Sequence, residues 1–191
     1  DWGKSVLDEA LSSHDDVVKI AFSITLDRLQ REASRSNSDA DLKEFLLNFY
    51  NQSSALRQLW VVESLKLSDT LSEWQSELVQ QFCGSKSADI REAGYRQLKA
   101  LSPNESWVMS LLKAGLKDAN SAVSELCFQL LLAFHKADGD EAERTFVKQS
   151  LRAEKAVQEK AIAMALTTTA AWRVPFILDA LKDEDAVVRR M

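Results

Sequence analysis

Leu111-Leu-Lys-Ala-Gly-Leu-Lys-Asp-Ala-Asn120, followed at once by Ser121-Ala-Val-Ser-Glu-Leu-Cys-Phe-Gln-Leu-Leu-Leu-Ala-Phe134, decides how the rest of the chain is read. One apolar run ends on Leu116, and a second opens on Val123 after a polar turn. Beyond Val123 the fourth and eighth positions are Cys127 and Leu131, a spacing that puts all three on one face of a 3.6-residue helix. The pattern predicts two short helices, A and B, folded back on each other.

The same pattern recurs along the chain. Pairs of A-helix and B-helix anchors fall at Leu11 and Val18, Phe49 and Leu56, Phe82 and Ile90, Leu116 and Val123, Leu151 and Val157, and Leu181 and Val188. The B anchors are spaced by 38, 34, 33, 34 and 31 residues, a period in the range of stacked helical repeats. The fourth position after each B anchor is Phe22, Trp60, Gly94, Cys127 or Ala161, and four of the six anchors are followed by a cation: Lys19, Arg57, Arg91 and Arg189. The spacing predicts helices near 3–11, 15–33, 39–50, 53–67, 71–83, 88–101, 104–116, 121–135, 141–151, 155–168, 174–182 and from 185 onward. Helix starts carry capping-box chemistry at Ser102 with Glu105, Thr70 with Glu73 and Asp140 with Glu143. Gly84 and Gly139 mark breaks, and the polar stretch 33–39 accounts for the one long spacing.

Composition agrees with a chain of helices. Across 191 residues there are five Gly and two Pro, little material for tight β turns. The formal charge of -5 lacks the basic balance that phosphate neutralisation requires, so nucleic acid is not expected as a ligand. Cys83 and Cys127 lie too far apart for metal-ligand spacing and read as small core residues. No apolar run is long enough to span a membrane. The compartment is open, with the cytoplasm favoured, as is the oligomeric state. Because the last unit breaks off inside Asp185-Ala-Val-Val-Arg-Arg190, the chain is expected to be a piece of a longer array.

The anchors followed by a basic residue, as in Ala88-Asp-Ile-Arg-Glu-Ala-Gly94 and Asp185-Ala-Val-Val-Arg189, with turn aspartates at Asp118 and Asp183, resemble HEAT repeats, in particular the short HEAT-like repeats of the bilin-lyase type. The resemblance covers nearly the whole chain and implies an all-α fold, a right-handed HEAT-like superhelix (α-solenoid) of five to six helical hairpins. Its units run roughly 3–33, 39–67, 71–101, 104–135, 141–168 and 174–191, as one domain. Repeats two, four and five lack the Asp, the Arg or both. Tetratricopeptide repeats share the period, but no unit supplies their Trp, Leu-Gly and Tyr set.

No catalytic signature is present: there is no Glu-x-x-His, phosphate loop or Gly-x-Ser-x-Gly, and the expectation is of no enzyme activity, cofactor or metal. His14 and His135 read as helix-end histidines, the latter as an imidazolium facing a helix C-terminus. Phe22 and Trp60 fall on the core face, whereas Trp74, Trp107 and Trp172 are open to a partner-anchoring role. Two positions beyond the B anchors stand Glu92, Glu125 and Glu159, about 200° round the helix from the buried face. The expected function is a protein-interaction scaffold whose concave B-helix face carries these glutamates as an acidic ladder for a protein or peptide with a basic segment. Arg91, Arg96 and Lys160 could instead neutralise the ladder within the fold. The alternatives are a HEAT-like lyase or chaperone-type module holding a small hydrophobic ligand and a nucleic-acid-repair module.

Overall fold

The computed structural model describes residues 15–36, 38–65, 67, 71–101 and 105–189, and all regular structure among them is helical. The helices are α1 (Asp15–Ser36), α2 (Ala40–Gln52), α3 (Ala55–Ser64), α4 (Glu73–Cys83), α5 (Ala88–Gln97), α6 (Ser106–Gly115), α7 (Ser121–Ala137), α8 (Asp140–Ser150), α9 (Lys155–Thr167), α10 (Arg173–Ala180) and the short α11 (Ala186–Arg189), with a 3₁₀ turn at Leu98–Ala100 after α5. Their bounds follow the predicted ones to within a few residues. The expected helix 3–11, with the anchor Leu11 and His14, lies outside the described residues. The chain forms two compact units, Asp1–Gly94 and Tyr95–Met191.

In the first unit α1 packs on α2 and on α3, and α2 on α3. Phe22, Phe45 and Phe49 cluster there, with ring centroids 5.6 Å apart for Phe22–Phe45 and 4.5 Å for Phe22–Phe49. Gly94 of α5 is tied to close packing on α4, since a Cβ there would stand 2.7 Å from Phe82 Cβ. In the second unit each helix from α6 to α10 packs on the next, and α7 also packs on α9. Gly115 is held by the same constraint: a Cβ would run into the Cys127 sulfur and lie 2.8 Å from the Tyr95 ring.

One device recurs at the joint between A and B helices. A helix leaves its last carbonyls without intrahelical partners, and here a side chain at the start of the B helix turns back to bond them. Ser124 Oγ donates to Leu116 O at 2.7 Å and Gln158 Nε2 to Leu151 O at 3.0 Å. Arg91 donates to Ser85 O at 2.9 Å, and Arg189 to Asp183 O at 2.6 Å. The cations Arg91 and Arg189 after the anchors therefore bond carbonyls of the turn that precedes their own helix.

In α3 this device exposes a shift of register. Gln58 Nε2 donates to Tyr50 O at 2.9 Å, which puts Arg57, not Leu56, at the anchor position. Leu56 is 52% exposed, while Val61 and Leu65, four and eight residues beyond Arg57, are buried. Half-buried Arg57 reaches Asp15 of α1 at 2.9 Å. A similar correction applies at Leu181, which is exposed, with Ala180 buried in its place.

A second ladder joins successive turns. The residue after the A anchor reaches an acid in the next turn: Lys117 to Glu154 and Arg152 to Asp183, both at 2.9 Å. Within the turns, Asp118 Oδ1 accepts from Asn120 N–H at 2.8 Å and Asp183 Oδ1 from Asp185 N–H at 2.9 Å, the aspartate turn that locally competes with helix. Asn120 in turn caps α7 through Ala122 and Val123 N–H.

The capping boxes differ from those predicted. Ser72 N–H donates to Gln75 Oε1 at 3.0 Å, so the box at α4 starts two residues after Thr70, which lies outside the described residues. Glu105 is the residue before α6 rather than its third residue, and α8 begins at Asp140 itself.

Candidate functional site

The residues singled out for partner binding separate by burial. Trp74 is a core residue: it is 6% exposed and its indole N–H donates to Asp39 Oδ2 at 2.6 Å, so it offers no surface to a partner. Trp107, in the first turn of α6, is half-buried. Trp172 is buried and donates its indole N–H to Glu143 Oε2 at 2.9 Å.

Glu92 is half-buried in the first unit, whereas Glu125 and Glu159 are exposed on the second. Glu125 is bound twice within the fold, accepting from Gln129 Nε2 at 2.8 Å and pairing with Lys160 of α9 at 3.4 Å. Glu159 stands 3.8 Å from Lys155 on its own helix. Such pairs are worth little each, yet Lys160 does to Glu125 what an external cation would do. On α1 the face opposite the core carries an apolar stripe, Val17, Ile20 and Ile24, each more than half exposed.

The groups with nucleophilic or acid–base potential are turned to structural ends. Burial, and secondarily the nearby Asp118 charge, pushes the Cys127 thiol up to about 12, so its thiolate is not available at neutral pH. His135 stacks on Phe146, with centroids 4.9 Å apart, and burial lowers its pKa below the usual 6.5. It is a neutral ring packed on an aromatic near neutral pH, not the imidazolium expected at the end of α7. Among the described residues no group of three or more His, Cys, Asp and Glu side chains could hold a metal ion.

A concave feature of the second unit lies at the ends of α7 and α9. It is an open cleft of about 270 Å³, lined by Leu132, Ala133 and Lys136 of α7, Met164 and Thr167 of α9, and Glu143 of α8, with Gln129 and Thr168 completing it. Glu143 shares its helix face with Phe146, Val147 and Ser150, all buried. Sequence reasoning assigned it to a cap; the signal that it is a core carboxylate was its place on that i, i+3, i+4, i+7 stripe.

No family model, curated protein or solved structure matches the chain. The functional reading is carried by residues and geometry alone. Among the described residues no helix is long and apolar enough to cross a membrane.

Proposed function

We propose that the chain is a protein-interaction scaffold: a right-handed HEAT-like solenoid of five to six hairpins, whose concave B-helix face takes a protein or peptide with a basic segment. The observation that carries this reading is the recurrence of one joint. At five joints between successive helices a side chain near the start of the second helix turns back to a backbone carbonyl: Gln58, Ser124 and Gln158 to one at the end of the preceding helix, Arg91 and Arg189 to one in the turn. A joint repeated with the sequence period is what a stack of equivalent hairpins requires, and such stacks present extended surfaces. Packing of α1 on α3 and of α7 on α9 is the B-on-B contact such a stack needs.

For the partner, the exposed carboxylates of Glu125 and Glu159, each also near a lysine of the fold, supply charge that a partner's cations would share, and in the first unit the stripe at Val17, Ile20 and Ile24 supplies apolar surface. The test is association of a lysine-rich helical peptide with the chain, followed by surface plasmon resonance across a salt series. Association should slow as salt rises, and reversing Glu125 and Glu159 to Lys together should abolish it, at a stability cost of no more than about 1 kcal/mol per lost exposed pair. Unaltered binding by the double reversal removes both glutamates from the partner face.

A further inference from the structure

We infer that the cleft at the ends of α7 and α9 is a receptor for one cationic side chain, an arginine or lysine presented by a partner, with the Glu143 carboxylate as its counter-charge. The inference rests on the scaffold reading above and assigns one of its contacts. Glu143 is 2% exposed and is the one charged residue buried among the described residues. A carboxylate withdrawn from water needs pairing, and what the fold supplies is one neutral donor, the Trp172 indole on Oε2. Among the described residues no cation stands within ion-pair distance of it: Lys136 lines the same cleft without reaching it, and the neighbouring Arg173 extends to Thr168 O at 3.5 Å.

The surroundings favour a positive charge from two more directions. Ala133 and Lys136 belong to the last turns of α7, and Met164 and Thr167 to the last turn of α9. The cleft therefore opens between two helix C-termini, the negative ends of the helix dipoles. The Thr167 hydroxyl already donates to Ala163 O at 2.8 Å, which leaves its oxygen as an acceptor. Leu132, Ala133 and Met164 provide apolar wall for the methylene stem of a long cationic side chain. At about 270 Å³ the cleft has room for one long side chain.

The experiment uses the Trp172 indole N–H as the reporter, because it is bonded to the carboxylate in question. The chain is titrated with the capped tripeptide Gly-Arg-Gly, and with its citrulline counterpart as a neutral shape match, while the indole resonances are followed by NMR. The arginine peptide should move the Trp172 resonance saturably and the citrulline peptide should not. Glu143→Gln keeps an acceptor for Trp172 and removes the charge; it should weaken the arginine peptide by at least about tenfold while leaving the fold's spectrum intact. Ala133→Trp, a change at an exposed position on the rim, should block entry without touching the carboxylate and guards against a Gln variant that fails to fold. No saturable response, an equal response to citrulline, or undiminished affinity in both variants overturns the assignment. The scaffold reading would survive that result if the lysine-rich helix still binds in a manner dependent on Glu125 and Glu159.

Discussion

The hairpins α6–α7 and α2–α3 carry the same joint in two different registers. In α6–α7 the anchor Val123 is fully buried, Cys127 and Leu131 follow it into the core, and Ser124 closes the joint on Leu116 O. In α2–α3 the joint is Gln58 on Tyr50 O, the anchor position is filled by Arg57, and the apolar Leu56 faces solvent. The difference teaches that hydrophobic spacing alone does not set the register of a short helix when apolar residues stand side by side. Phe49 and Tyr50 compete for one role, as do Trp60, Val61 and Val62 for another, and all five are buried. The polar side chain that closes the preceding helix breaks the tie.

The comparison yields a graded set of expectations. The largest concerns the core of the α6–α7 hairpin: Leu131→Ala should destabilise by roughly 2–5 kcal/mol in urea unfolding, the transfer plus cavity cost of a fully buried leucine. The joint itself comes next. Ser124→Ala removes a hydroxyl that is itself buried, together with its bond to the half-buried Leu116 O, and should cost about 1–3 kcal/mol. Gln58→Ala, at a half-buried position where water can replace the amide, should cost about 0.5–1.5 kcal/mol. Equal costs at the two sites would mean that the joints are alike in solvation as well as in geometry.

Acid separates the hairpins in another way, since α7 contains His135 and the α2–α3 hairpin has no histidine. Burial lowers the His135 pKa in the folded state below 6.5, so between the two values the unfolded chain binds more protons. The stabilisation is complete above about pH 6.5 and is lost as pH falls toward the folded-state pKa. Thermal unfolding from about pH 7.5 down to about pH 5.5 should therefore show a fall in melting temperature that His135→Gln reduces. An unchanged pH profile in the variant would assign the fall to carboxylates.

Much of the fold was legible because helix periodicity is a local property: Val123, Cys127 and Leu131, or Val157, Ala161 and Ala165, announce a buried face by spacing alone, and all six are buried. What was not legible depended on residues distant in sequence. Trp74 reads as a free aromatic until Asp39 is seen accepting its N–H across 35 positions, and Glu125 reads as an unpaired acid until Lys160 is brought beside it by the packing of α9 on α7. Cap chemistry failed for a different reason. Thr70 with Glu73 and Ser72 with Gln75 satisfy the same pattern two residues apart, and the folded chain uses the second. At Asp140 and Glu143 the cap pattern concealed a carboxylate that also satisfied the core stripe and lines the cleft.

The smallest expected effect is also the most direct test of the account, because the spacing of apolar residues and the closing hydrogen bond give opposite answers for one side chain. Equilibrium urea unfolding of Leu56→Ala should lie within about 0.5 kcal/mol of the parent chain, as for a surface substitution away from any special feature. A loss of roughly 2–5 kcal/mol, the cost of truncating a buried leucine, would restore Leu56 to the anchor position and contradict the register that Gln58 and Arg57 define.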